Sequence, residues 1–264
     1  MKLFDAHNHL QDARFDGLRD RILAEAISVG VSRMVVNGAC EEDWPLVQSL
    51  ARAHSLVLPS FGYHPWYLHE RTPDWKRALE TSLDSTPAAV GEIGLDRWKP
   101  GLPYDGQEEA FVWQLELAAR RNVPASIHCL QAWGRLHDLL RTSARPARGF
   151  LMHSYGGSQE LVTPLAKLGA YFSFPGHFMH ERKTRQREAF ATVPLDRLLI
   201  ETDAPDQLPP DDANRFPLRD ARGVGINHPA NLAVVYEFMA RQRGVSVTAL
   251  AAQIERNFGG LFGA

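Results

Sequence analysis

Cysteine, net charge and long apolar runs are all scarce in this 264-residue chain, and each scarcity removes a class of protein. Two cysteines, Cys40 and Cys129, are too few for a disulfide scaffold and fit a reducing, cytoplasmic setting. No stretch approaches the ~20 apolar residues of a membrane helix, so no membrane association is expected. The chain turns polar at Asp5, which leaves no room for the apolar segment of a signal peptide. With 29 basic against 31 acidic side chains, the formal charge is −2. That excludes a charge-driven nucleic-acid coat, though not an enzyme that must release a nucleic-acid product. No segment rich in Pro, Gly or Ser divides the middle, so residues 1–264 read as one domain, large enough to bury roughly 73% of its unfolded surface.

What recurs instead is a short apolar or β-branched run. Eight stand at 3–6, 33–37, 56–61, 88–93, 123–127, 149–152, 170–174 and 197–200. Runs without alternation read as parallel strands covered on both faces. Helical spacing fills the gaps: Leu18, Ile22, Ala26 and Val29; Phe111, Leu115, Ala118 and Ala119 within 104–122; Leu136, Leu139 and Leu140. Gly30 and Gly169 precede strands where a helix should stop. Strand and helix alternating eight times predict an α/β fold, a single (β/α)₈ TIM barrel with its site at the C-terminal strand ends. The long segment 204–228, with four prolines and three arginines, is predicted to be irregular and to cover the mouth.

Eleven histidines are present, and six fall at those strand ends. His7 and His9 are two apart on the first run, so they share a face. His64 follows the third run, Glu92 ends the fourth, His128 the fifth and His153 the sixth. His177 follows the seventh and Asp203 the eighth. Imidazole and carboxylate together suit divalent ions such as Zn²⁺, Mn²⁺, Fe²⁺ or Ni²⁺, and Glu92 has the charge to bridge a pair of them. The competing reading, buried Glu92 and Asp203 as ion pairs with histidines, requires six residues to converge by accident.

Six segments carry a family resemblance: Asp5-Ala6-His7-Asn8-His9-Leu10, Gly62-Tyr63-His64-Pro65, Gly91-Glu92-Ile93-Gly94-Leu95-Asp96, Pro124-Ala125-Ser126-Ile127-His128, His153-Ser154-Tyr155-Gly156-Gly157 and Glu201-Thr202-Asp203-Ala204-Pro205. With Asn227-His228-Pro229, Asn257-Phe258 and Leu261-Phe262, the chain resembles the TatD-like metal-dependent hydrolases of the amidohydrolase superfamily nearly end to end. The resemblance implies two divalent metal ions per chain, with Mg²⁺ added to the candidates above. His7, His9, Glu92 and Asp203 would hold the first; Glu92, His128 and His153 the second. His64 is similar to the histidine that faces the substrate phosphate. The implied activity is a phosphodiesterase, a 3′-5′ deoxyribonuclease acting on single-stranded DNA, with Asp203 taking the proton of attacking solvent and Glu92 bridging the ions.

The chain departs from the pattern at its rim. His128-Cys129-Leu130-Gln131 lacks the basic residue common after strand five, Tyr155 replaces Phe, Phe174-Pro175-Gly176-His177 replaces a run of small residues, and His228 replaces Glu. These changes, all expected near the mouth, leave open a carbonyl substrate (amide, ester or lactone) and, less favoured, a non-catalytic metal-binding barrel. Other side chains have two readings each. Arg215, Arg219 and Arg222 either recover the phosphate contact or are solvated loop charges. Trp66, Tyr67, Trp98 and Trp133 either stack substrate or pack between loops. Glu201 either orients a histidine or pairs with an arginine, and His177 and His228 are evenly divided between substrate and solvent. Cys129 is expected to be a buried small apolar side chain; His54, His69, His137 and His180 are expected at the surface. A monomer is expected.

Overall fold

The structure, a computed structural model, describes residues 1–102, 104 and 106–263. Asp105, inside the expected helical segment 104–122, and Ala264, the last residue of the expected domain, lie outside the described residues. Eight parallel strands stand side by side in chain order. They are β1 (Leu3–Asn8), β2 (Val31–Asn37), β3 (Val57–Phe61), β4 (Ala89–Asp96), β5 (Ala125–Leu130), β6 (Phe150–Met152), β7 (Ala170–Phe174) and β8 (Leu198–Ile200). Each expected run falls on one of them. Seven helices return the chain between consecutive strands: α1 (Arg19–Ser28), α2 (Trp44–Ala53), α3 (Trp75–Ser85), α4 (Gln107–Arg121), α5 (Trp133–Thr142), α6 (Gln159–Lys167) and α7 (Thr184–Thr192). After β8 come α8 (Leu232–Gln242) and α9 (Val247–Phe262). This is the (β/α)₈ barrel, and β1 and β4 are buried along their whole length, as covering on both faces requires.

Two places in the barrel position the site. On β4, Gly94 has φ +152°, and a Cβ there would run into the backbone carbonyl of His128. Only glycine lets β4 lie this close to β5, where Gly94 and His128 are register partners. Between β8 and β1, no ladder pair forms among the described residues. The barrel closes just past β8, where the Asp203 amide donates to the His7 carbonyl (2.9 Å) and the His9 amide to the Ala204 carbonyl (2.7 Å). Asp5 ties the same seam from inside, accepting from the Thr202 amide (2.9 Å) and hydroxyl (2.6 Å).

The C-terminal helices brace that seam from outside. Phe258 on α9 packs its ring 5.0 Å from Phe4. Asn257 donates to the carbonyls of Leu195 and Leu198, both at 2.7 Å. The segment 204–228 is not wholly irregular as expected. It holds an antiparallel hairpin, β9 (Leu218–Arg219) with β10 (Gly225–Ile226), turned about Asp220, whose carboxylate accepts from the Arg222 and Val224 amides. Strands of two residues carry no period to read, so the sequence left no sign of them. The segment leans on both neighbours of β8: Asp206 pairs with Arg14 after β1, and the Leu208 carbonyl faces His180 after β7.

Candidate metal centre

His7, at the end of β1, and Asp203, past β8, meet across the seam, while Glu92 and His128 come from β4 and β5 and His153 directly follows β6. All are buried, and His9 is half-buried. Glu92 sits at the middle with its two oxygens facing opposite groups. Oε2 lies 3.3 Å from His7 Nε2 and 3.2 Å from His9 Nε2. Oε1 lies 2.8 Å from His153 Nε2, 3.1 Å from His128 Nδ1 and 3.3 Å from His64 Nε2. Asp203 Oδ1 joins the first group, 3.7 Å from His7 Nε2 and 3.5 Å from His9 Nε2. Every residue singled out in the sequence for this centre therefore lies in it.

The outward nitrogens decide what the inward ones offer. His9 Nδ1 donates to the Asn37 carbonyl (2.8 Å) and His128 Nε2 to Asp96 Oδ2 (2.9 Å). Their inward nitrogens are then lone pairs in the neutral rings. His7 Nδ1 meets the Ser126 hydroxyl at 2.9 Å. His64 is built the other way: its Nδ1 accepts the Trp66 amide (3.2 Å), so its neutral ring carries the proton on Nε2, aimed inward. His64 offers a hydrogen-bond donor where its neighbours offer lone pairs.

This donor set fits divalent cations. Two groupings, His7–His9–Glu92 and His7–His153–Asp203, bring their ligand atoms within 4.8 Å of one another, and a third, His64–Glu92–His128, does so with His64 presenting its N–H rather than a lone pair. His128 Nδ1 and His153 Nε2 approach to 3.4 Å while both face one carboxylate oxygen. Nitrogen lone pairs crowded around carboxylate oxygen suit zinc and similar first-row ions. The protonation pattern of the bare cluster agrees. Burial pushes Asp203 up to about 8 and His7 down to about 3. Burial also works against ionised Glu92, yet His153, His64 and His7 hold its carboxyl well below the usual range. His9 rises to about 9, where contact with Glu92 outweighs burial. A cation competes with these protons for the same atoms.

Several supporting residues escaped the sequence reading, Asp96 above all. Burial would raise its carboxyl, but His128, the Lys99 amide and the Trp66 indole hold it low. Its signal was present, because Glu92 and Asp96 are an even number of residues apart on one strand and share its inner face. As for the two readings of Glu201, no arginine pairs with it among the described residues, and His153 faces it without a hydrogen bond. Glu201 accepts from the Ser154 amide (2.7 Å) and from the Ser173 hydroxyl, and lies 3.8 Å from His153 Nδ1.

Other expectations are corrected. His228 is not at the mouth: it is buried on the outer wall, its ring stacked on Phe216 and its Nε2 2.9 Å from Glu25 of α1. Arg215 is held by Glu237 and Arg222 by Asp220, while Arg219 donates to the Gly223 carbonyl. Trp133 packs edge-on against Tyr155, and Trp66 spends its indole N–H on Asp96 (2.7 Å). Cys129 is buried as expected. His69 is exposed, but His54, His137 and His180 are half-buried. His177 is half-buried beside His180, and burial with Lys183 lowers it to about 4.

Comparison with known proteins places these observations in a family. The profile described as TatD related DNase matches residues 4–263. The 3'-5' ssDNA/RNA exonuclease TatD of Shigella flexneri is 32% identical over 267 residues, covering 99% of each chain. The uncharacterized metal-dependent hydrolase YabD of Bacillus subtilis is 29% identical, covering 98% of each. Among solved structures, the TatD homolog YJJV of Escherichia coli superposes with a TM-score of 0.90 at 26% identity, covering 99% of this chain and 98% of that one. The chain belongs to the TatD-related DNase family.

Proposed function

We propose that this chain is a metal-dependent phosphodiesterase that shortens single-stranded DNA from its 3′ end. The carrying observation is Glu92, whose two oxygens face two separate histidine groups. His7, His9, Glu92 and Asp203 would hold one divalent ion, and Glu92, His128 and His153 a second. When bound, such a pair lowers the pKa of solvent toward 7 and neutralises charge on a phosphate. His64 donates its Nε2 proton to a non-bridging oxygen of the substrate, where negative charge grows as the bond to phosphorus forms. Asp203 accepts the proton of the attacking water. Asp96 holds the His128 ring so that Nδ1 faces inward. The names of the TatD relatives support the nucleic-acid substrate. A monomer in the cytoplasm is part of the same reading; both cysteines are free thiols, and no helix among the described residues is long and apolar enough to cross a membrane.

The test is end-labelled single-stranded DNA with added Mg²⁺ or Mn²⁺, run beside Asp203→Asn. A ladder shortening from the 3′ end is expected, abolished by chelator and slowed by about 10²-fold or more in the variant. An unchanged rate in the variant removes Asp203 from its role. No cleavage by protein that binds two ions per chain overturns the nuclease reading in favour of an amide, ester or lactone substrate.

A further inference from the structure

Strand β5 ends on Leu130, an apolar residue where a phosphate-binding enzyme would profit from a cation. The loop that follows the neighbouring strand carries two. The Arg97 amide donates to the Leu130 carbonyl (2.9 Å), so Arg97-Trp98-Lys99, which follow Asp96 directly, run past that strand end. The Trp98 and Lys99 amides both donate to Asp96 Oδ1, at 2.7 and 2.9 Å. The other oxygen of the same carboxylate holds His128. This tripeptide is thus pinned to the group that orients the candidate ligand.

Its side chains have unusual surroundings. Lys99 Nζ stands 4.1 Å above the ring of Trp66, which lies 5.2 Å from His64 and 6.3 Å from His128. One indole therefore separates the ammonium from the centre. Among the described residues no carboxylate lies within 4.0 Å of that ammonium. Trp98 is 57% exposed, the most exposed of the six tryptophans, and Tyr104 is 46% exposed with the Arg97 guanidinium 5.4 Å from its ring centre. Aromatic rings alternating with cations form the surface that binds a single strand, by base stacking and phosphate contact.

We propose that Trp98 and Lys99 hold the single-stranded DNA beside the reacting phosphate, Trp98 stacking a base and Lys99 contacting a phosphodiester oxygen. The inference rests on the nuclease reading and adds to it the path of the strand, over the β4 side of the mouth. It also accounts for Leu130, since the cation absent from β5 comes from the adjacent loop.

The test compares two substrates, a single-stranded oligonucleotide and bis(p-nitrophenyl) phosphate, with wild type, Trp98→Ala, Lys99→Ala and Lys99→Arg, all metal-loaded. The preference for oligonucleotide, as a ratio of kcat/KM values, should fall by about tenfold in each alanine variant, through KM rather than kcat. The slope of log kcat/KM for oligonucleotide against log salt should flatten by about 0.7 in Lys99→Ala, the value of one single-strand phosphate contact, and be restored in Lys99→Arg. Equal losses on both substrates overturn the proposal, because they place the residues in support of the centre rather than along the strand. Unchanged preference and slope overturn it while leaving the nuclease reading intact. A wild type that hydrolyses the small diester but neither binds nor shortens the oligonucleotide overturns both.

Discussion

Two seams of the barrel carry the candidate centre, and they are held in different ways. Between β4 and β5 the main chain does the positioning. Pairing continues from Ile93 with Ile127 to Asp96 with Leu130, and Gly94 permits the close approach at His128. Between β8 and β1 no ladder pair forms among the described residues, and two main-chain hydrogen bonds past β8 together with a buried side chain take its place. Asp5 receives the Thr202 amide and hydroxyl, the Asn8 side chain at 3.2 Å and the His7 amide at 3.3 Å. Glu92 and His128 are thus set by a backbone ladder, whereas His7, His9 and Asp203 rest on two main-chain hydrogen bonds and one buried carboxylate. Removing a side chain can loosen the second seam, but only adding one can open the first.

That difference can be broken from each side. Gly94→Ala puts a methyl group against the His128 carbonyl, with backbone on both sides and no flexible atom to move. A loss of at least about 4 kcal/mol is expected, as for other severe backbone strain and overpacking, read from the denaturant midpoint. A variant within 1 kcal/mol of wild type, by the ~1 kcal/mol scale of ordinary substitutions, would show that the strands part easily. Asp5→Ala leaves buried donors without an acceptor and is expected to cost about 3 kcal/mol. At this chain length that is a fall of roughly 10 °C in Tm. Asp5→Asn, which keeps the shape and one acceptor, should lose less. Equal losses in the two variants would mean that shape, not hydrogen bonding, closes the seam.

Asp96→Asn sharpens the comparison within the firmer seam. The backbone pairing stays, while the carboxylate that orients His128 and receives Trp66, Trp98 and Lys99 is replaced by an amide. Metal affinity or activity is expected to fall about 10- to 100-fold. A titration of the folded variant with Mn²⁺ or Zn²⁺ checks this. Lowered Tm with wild-type affinity would reduce Asp96 to a loop anchor.

The same contrast explains what the sequence disclosed. The strands were legible because burial on both faces writes them as apolar runs. His7, His9, Glu92, His128, His153 and Asp203 were legible because each lies at or just past the end of such a run. What stayed hidden depends on partners far away in the chain. Arg215 looks available until Glu237 on α8 is brought to it at 2.6 Å. Asp96 looks like an ordinary strand end until β5 brings His128 beside it. Trp98 and Trp133 look alike in sequence, yet one is exposed and the other packs against Tyr155. Local pattern reports which face a residue is on; only the closed barrel reports what it meets there.

His228 is the sharpest case of that limit, and it yields the smallest expected effect. Placed by its motif at the mouth, it is instead buried on the outer wall, where its Nδ1 accepts the Ala230 amide at 2.9 Å. Nε2 then carries the proton and faces Glu25, off the line of a good hydrogen bond. Burial lowers its pKa to about 4 although Glu25 pulls upward, with Arg21 nearby adding to the lowering. The folded chain therefore refuses a proton that the unfolded chain accepts near the ordinary value of about 6.5. Stability from this residue is complete above roughly pH 7 and declines as pH falls through 6.5 toward 4, because protons then favour the unfolded state. Between about pH 7.5 and 6 the loss should be near 1 kcal/mol, a Tm change of about 2–4 °C. His228→Asn keeps an acceptor for the Ala230 amide but does not titrate, so its Tm should fall less over that interval. Parallel curves for the two proteins would show that Glu25 shares the proton well enough to cancel the burial.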